Sequence, residues 1–442
     1  MTKNTVIAWS FVVALGGFLF GFDTAVISGA EKAVQQYWSL SAVEHGVTMA
    51  IALLGTVAGA LMGAYPSDRF GRKRTLFAIA ALYFFSALGT ALAHDWYLFI
   101  LFRFLGGIGV GVSSVTAPIY ISEISPADKR GRLVGLFQFN VVLGILVSYL
   151  SNYLIGQGGE SAWRWMLGVQ AVPALLFYIL IHFVPESPRW LLLYRNNRDE
   201  ALRILKKVNP IHHVAELESI LASAKAMGNG GASSSLFSKK YRFPVFLAIV
   251  FAVFNQVSGI NAIIYYAPRV FEMAGLGAQS SLLSTVGIGL VNFTFTLIAI
   301  NVIDKVGRRK LMLIGSVGLI AALAMVSHSF YAENPNGLAV TAYLMIYIAF
   351  FAFSQGAVIW VFISEIFPTE VRAKGQTLGS LTHWVMAAII TFVFPMLSSS
   401  LGGGTTFLIF TGCMILQLLF VWKLMPETKG RSLEQIGGTM MH

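Results

Sequence analysis

Twelve apolar runs, each long enough to cross a bilayer, leave this 442-residue chain almost no fold but a bundle of membrane helices. The runs fall at about 6–30, 44–66, 75–93, 96–121, 132–155, 163–185, 243–273, 280–303, 310–331, 338–364, 372–397 and 404–425. A bilayer core takes about 20 apolar residues per helix. Backbone polar groups inside it must bond within the chain, which a helix achieves. Only 12% of the residues are charged, against about 25% in an ordinary soluble domain. A soluble enzyme, a disordered chain and a disulfide scaffold are thereby excluded, and the single Cys413 can form no internal bridge. Residues 6–22 resemble a signal peptide, but no small-residue cleavage site follows them. They are read as the first helix.

Lys and Arg set the orientation. With the N-terminus in the cytoplasm, all but four of the 31 Lys and Arg fall in cytoplasmic segments. The exceptions are Lys32, Arg103, Arg164 and Arg269. Both termini are therefore expected inside. The formal charge of +11 is then a loop bias facing a lipid bilayer, and no nucleic-acid partner is expected.

One long polar stretch, 186–242, divides the chain. It holds helix-like pieces at Arg198–Val208 and Val214–Met227, then a Gly/Ser-rich linker over 228–235. The expected organisation is an N-terminal six-helix half (1–185), a cytoplasmic helical linker (186–242), a C-terminal six-helix half (243–425) and a tail (426–442). The halves repeat. Ser67-Asp68-Arg69-Phe70-Gly71-Arg72-Lys73-Arg74 recurs as Ile303-Asp304-Lys305-Val306-Gly307-Arg308-Arg309-Lys310. Ser122-Glu123-Ile124-Ser125-Pro126 recurs as Ser364-Glu365-Ile366-Phe367-Pro368, and Pro185-Glu186-Ser187 as Pro426-Glu427-Thr428. The offsets are 236, 242 and 241 residues. Six-helix halves repeated in parallel, with a site near the midplane between them, are an architecture of secondary transporters.

With these motifs the chain resembles the sugar porter family of the major facilitator superfamily over nearly its whole length. The Asp-Arg-x-Gly-Arg loops indicate only the superfamily. Pro185-Glu186-Ser187-Pro188-Arg189-Trp190-Leu191, the segment from Gln256 to Tyr266, and Pro426-Glu427-Thr428-Lys429-Gly430 are more specific. The resemblance implies an all-α membrane protein with twelve transmembrane helices in two halves. It implies a monosaccharide carrier working by alternating access, without cofactor or metal, in a bacterial inner membrane and as a monomer. D-glucose or another hexose is the expected substrate, with a pentose such as xylose or arabinose as the alternative.

Two charges lie well inside runs, away from their ends. Asp23 sits in the first and Arg103 in the fourth. Each costs several kcal/mol unless paired or hydrated, so each is the natural partner of the other. Burial disfavours a carboxylate and a neighbouring guanidinium favours it, so a carboxyl between the two can exchange its proton when geometry changes. The bland alternative is a bridge that only pins two helices. In proton-coupled sugar porters the matching Asp and Arg couple transport to the proton, and the passive animal glucose carriers have Asn at the Asp position. Asp23 therefore favours proton symport over facilitative uniport. Adding 238 to Asp23 gives Asn261, a neutral amide in the second half. Coupling is expected in the first half and most sugar contacts in the second.

A sugar needs amides for its hydroxyls and an aromatic for its C–H face. The seventh run supplies Asn255, Gln256, Asn261 and Tyr265, the last two four apart and on one face. Gly259 and Gly275 are expected to let this helix bend. The resemblance places Asn292, Trp360, Trp384, Phe20 and Gln138 at the family's sugar-contacting positions. Single amides also glue membrane helices together; the set as a whole favours a site. Four departures from the family stand out: Asn255 for Gln, Ala357 for the Pro after Gly356, His383 for an Asn or Gln beside Trp384, and Ala64 for Gly.

At the cytoplasmic ends, Glu123 and Arg130 are seven apart, as are Glu365 and Arg372. With Asp68-Arg69, Asp304-Lys305, Glu186 and Glu427 they make matched acid–base sets. The resemblance implies that such residues lock the halves when the carrier faces outward. No nucleophile–base pair, metal cluster or phosphate loop points to an enzyme. Gly106-Gly107-Ile108-Gly109-Val110-Gly111 lies inside the fourth run and reads as close helix packing, not as a nucleotide loop.

Overall fold

The computed structural model describes residues 2–126, 129–228, 235–368 and 371–429, and these are helical throughout their ordered elements. In the first half, α1 is Thr2–Tyr37, α2 Ala42–Met62, α3 Ala64–Phe70, α4 Arg72–Leu92, α5 Trp96–Ile124 and α6 Arg130–Ile155, followed by α7 Ala162–Gly168 and α8 Ala171–Ile181. The polar segment holds α9 Pro188–Arg195, α10 Arg198–Val208 and α11 His213–Gly228, so both helix-like pieces in it are helices. The second half holds α12 Arg242–Val257, α13 Ile260–Met273, α14 Ala278–Val306, α15 Arg308–Tyr331, α16 Gly337–Phe353, α17 Gln355–Glu365 and α18 Arg372–Lys423.

Eleven of the helical stretches are long and apolar enough to span. The last of them, α18, has 52 residues and breaks at Gly402, where φ is +76°. A single helix of that length would be about 78 Å long, more than twice a bilayer core. The break makes it two spans, which brings the number to twelve. The seventh and tenth spans are each built from two helices, α12–α13 and α16–α17.

Contacts group the chain into two compact units. One comprises Met1–Thr24, Leu54–Ser148 and Arg164–Ala232; the other comprises Ala25–Leu53, Tyr149–Trp163 and Ser233–His442. The later parts of α1 and α6 and the first part of α2 thus belong with second-half helices.

In the first unit, glycines bring backbones together. A Cβ on Gly55 or Gly59 of α2 would run into carbonyls of Phe104 and Ile108 on α5, and one on Gly111 of α5 into Thr56 of α2. Gly21 of α1 and Gly144 of α6 meet each other's backbones in the same way. Lipid supplies no hydrophobic drive between helices, so close van der Waals approach has to hold them, and small residues allow it. The glycine run of α5 serves packing. The second unit is centred on large buried side chains instead, among them Phe251, Phe362, Phe367 and Val421. Large apolar side chains such as Phe85, Val172 and Trp422 stay exposed on the helices, as lipid-solvated faces require.

Candidate functional site

The seventh span is interrupted where its amides are densest. Gly259 takes φ +87°, between α12 and α13, and a Cβ there would also press on the Phe410 ring. Only glycine adopts this backbone cheaply. The interruption leaves carbonyls without helical partners, and buried hydroxyls take them. Tyr347 donates to the Ser258 carbonyl at 3.0 Å. A second irregularity, at Tyr266, precedes Pro268. Proline cannot donate to the carbonyl four residues back, and that carbonyl, Ile264, accepts from Tyr149 Oη at 2.9 Å. Pro395 in α18 likewise frees the Thr391 carbonyl, which accepts from Tyr266 Oη at 3.0 Å. Gly275 bends nothing inside the helix: it has φ +92° just past the end of α13 and terminates it.

Around the break the second unit gathers its polar side chains. Asn261 Nδ2 donates to Gln256 Oε1 at 2.6 Å, and Gln256 Nε2 donates to Asn255 Oδ1 at 3.0 Å. The same Gln256 nitrogen lies 3.2 Å from the ring nitrogens of His383, a bond that an unprotonated ring nitrogen accepts. His383 packs between two indoles, with centroids 4.8 Å from Trp360 and 4.9 Å from Trp384. Asn255, Gln256 and Asn261 are buried, whereas Trp360 is 37% exposed and its N–H has no partner among the described residues. Asn292 on α14 is half-buried and makes no hydrogen bond among the described residues. Tyr265 is buried, and Gly356 lies in the first turn of α17. A preorganised row of amides flanked by an open aromatic face suits a polyol with an apolar side.

The first unit holds the charged pair. Arg103 Nη1 lies 3.1 Å from Asp23 Oδ1, and both side chains are 3% exposed. Gly106 packs close to Ser86: a Cβ there would run into Ser86 Oγ and would lie at ordinary contact distance, 3.5 Å, from Asp23 Oδ1. Arg103 Nε and Nη2 are buried without partners among the described residues. The pair is thus under-satisfied, with donors in excess of acceptors. In the same unit Phe20 packs 6.4 Å from Phe137, and the neighbouring Gln138 is half-buried with no hydrogen bond among the described residues.

The acid–base sets in the loops are organised differently from the spacing in the sequence. Glu123 pairs with Arg72, through Nε at 3.0 Å and Nη2 at 2.9 Å, and Arg72 also holds Asp68 at 3.0 Å. Glu365 pairs with Arg308, at 3.1 and 2.8 Å, and Arg308 also holds Asp304 at 2.8 Å. Each set closes within its own unit. Arg72 and Arg308 are the central bases, and sequence spacing missed them because their partners lie 51 and 57 residues away. Arg69 instead bonds Tyr65 Oη, and Arg372 donates to the Phe367 carbonyl at 3.3 Å. The Arg130 side chain lies outside the described residues.

Glu186 and Glu427 cap helices. Glu186 Oε1 accepts from the backbone N–H of Arg72 and of Ser187, at 3.0 and 2.8 Å. Glu427 accepts from the N–H of Arg308 and of Arg309, at 2.9 and 3.1 Å. Each carboxylate meets the positive end of a helix dipole. Burial pushes the Glu186 carboxyl up, and the amide hydrogens around it pull it back. Gly71 and Gly307 precede these helices at φ +102° and +99°, and a Cβ on either would collide with the capping carboxylate.

Comparison with known proteins gives a consistent result. The family model described as "Sugar (and other) transporter" matches residues 9–439. The arabinose-proton symporter of Bacillus subtilis is 39% identical, over 98% of this chain and 94% of its own. The glucose transporter GlcP of Staphylococcus epidermidis is 37% identical, over 96% of this chain and 94% of its own. The inward open structure of the xylose transporter XylE from E. coli superposes with a TM-score of 0.88 at 33% identity, covering 98% of this chain and 100% of that one.

Proposed function

Because the chain belongs to the sugar porter family of the major facilitator superfamily, a family of carriers and not of enzymes, we propose that it is a monosaccharide:proton symporter working by alternating access. The observation that carries the coupling is the buried, under-satisfied Asp23–Arg103 pair. In this reading Asp23 takes the proton and Arg103 is its switch: protonating the carboxyl weakens the pair and frees α1 from α5. Breaking a buried pair by removing one charge typically costs about 3–5 kcal/mol, enough to redirect a conformational equilibrium. Gln256, Asn261, Asn255, Asn292 and His383 bond the sugar hydroxyls, with Trp360 and Trp384 against the ring face. Tyr265 and Gly356 complete that wall, and Phe20 and Gln138 supply the first half's contacts.

D-glucose or another hexose is the proposed substrate. The relatives named for arabinose and xylose make a pentose the second reading. The Arg72 and Arg308 sets, with Glu123, Glu365, Glu186 and Glu427, act as the cytoplasmic gate. The Lys and Arg distribution supports cytoplasmic termini, and a monomer in a bacterial inner membrane completes the reading.

The test is uptake of labelled glucose, xylose and arabinose into proteoliposomes, with and without an inward proton gradient. Accumulation above equilibrium that collapses with a protonophore supports symport. Equilibration unaffected by the gradient makes the protein a uniporter and leaves the Asp23–Arg103 pair a structural role. The sugar that accumulates at the lowest concentration names the substrate.

A further inference from the structure

One group of charges belongs to neither the coupling pair nor the cytoplasmic sets. It lies in the second unit, where α1, α2 and α13 meet. Glu31 on α1 is 1% exposed and meets three nitrogens. Arg269 of α13 reaches it twice, Nε to Oε1 at 2.8 Å and Nη2 to Oε2 at 2.7 Å. His45 of α2, with no exposed surface, places Nε2 2.8 Å from Oε2. Arg269 Nη2 also donates to Gln35 Oε1 at 2.6 Å, and Lys32 pairs with Glu272 across the same two helices, α1 and α13.

Glu31 and Arg269 are 238 residues apart, the same offset that relates Asp23 to Asn261. They are therefore repeat counterparts. A residue that meets its own counterpart stands at the seam where the two halves face each other, and here the two copies carry opposite charges. A bidentate Arg–carboxylate bond with a histidine behind it is costly to leave half-made in so buried a place. Such a bond is a poor choice for a joint that only needs packing. It suits a joint with two states, in which closing satisfies all three groups together and opening returns all three to water.

We propose that Glu31, Arg269 and His45 form the outer latch of the transport cycle. The cluster ties helices α1 and α2 of the first half to α13 of the second, and it must part before sugar enters from outside. None of the three touches sugar in this scheme; they are positioning residues. The inference rests on the orientation proposed above, which puts the end of α1 outside, and does not depend on proton coupling.

Ser28, buried on α1 one turn before Glu31, provides the probe. In a Cys413→Ser background, Ser28→Cys is to be labelled by a membrane-impermeant maleimide in right-side-out vesicles. The expected result is slow labelling with the latch intact. Glu31→Gln and Arg269→Gln should each label at least about tenfold faster, since each removes one side of a buried charge pair. The charge swap Glu31→Arg with Arg269→Glu should bring the rate back toward the intact value. Glu31→Asp keeps the charge, covers the case in which a neutral variant does not fold, and should fall between. Unchanged labelling in the single variants overturns the proposal, and so does a swap that labels as fast as they do. A purely structural role lowers heat stability without changing outside labelling. A uniporter would still show the shift, whereas reversed orientation would move the labelling to inverted vesicles.

Discussion

Asp23 and Asn261 hold the same place in the two halves of the sequence, yet their surroundings have little in common. Asp23 sits beside one guanidinium, with two donor nitrogens of that guanidinium left over. Asn261 sits at one end of a chain of amides that runs through Gln256 to Asn255 and His383. A lone buried charge pair responds strongly to one proton. A row of neutral amides hardly responds to a proton, but it offers several donors and acceptors at fixed spacing, as recognition of a polyol requires. In the proposed reading, the two halves of the repeat have separated switching from recognition. The acid–base sets did not diverge in this way: Arg72 and Arg308 hold their acids with the same atoms and nearly the same distances.

This contrast can be broken experimentally, and the largest effect is expected first. Asp23→Asn should abolish accumulation of sugar driven by a proton gradient while sugar exchange continues, measured by gradient uptake against counterflow in proteoliposomes. Loss of exchange as well would mean that the first half also carries recognition. Gln256→Ala takes one bond from Asn261 and one from Asn255, and a hydrogen bond lost at a buried polar group costs about 1–3 kcal/mol. The apparent affinity for sugar should therefore fall about tenfold to a hundredfold, with the pH dependence of uptake unchanged. A changed pH profile would place coupling in the second half. Glu365→Gln should slow transport several-fold with sugar affinity unaltered, by equilibrium binding, and Glu123→Gln should match it because the two sets are alike. Unequal effects would show that the sets have diverged in function despite their geometry. His383→Asn should act least, shifting the preference between hexose and pentose by a few-fold in competition uptake, because an amide also accepts from Gln256.

Much of this was legible in the sequence, for identifiable reasons. Asp23 and Arg103 stood out because a charge well inside a membrane run needs a partner. The break at Gly259 was visible as a glycine among amides. Gly275 was misread because a glycine that ends a helix and one that bends it look alike without the backbone angles. The sets around Arg72 and Arg308 were hidden because spacing within a loop says nothing of a partner more than fifty residues away. The tyrosines that take up the carbonyls freed by Pro268 and Pro395 were invisible for the same reason: Tyr149 and Tyr266 lie 115 and 125 residues from the groups they satisfy.

The caps on α4 and α15 bear on how the protein is made. The start of α4 is finished by Glu186, 114 residues downstream, and the start of α15 by Glu427, 119 residues downstream. At about 5–20 residues per second, synthesis reaches each cap roughly 6–24 seconds after the helix it closes. Until then Gly71 and Gly307 hold an open socket, and no side chain of their own can fill it early. Each half therefore completes this end of its helices only after its sixth span has emerged. The last residues of each half report to the first that assembly is done, and the order of synthesis is written into the fold.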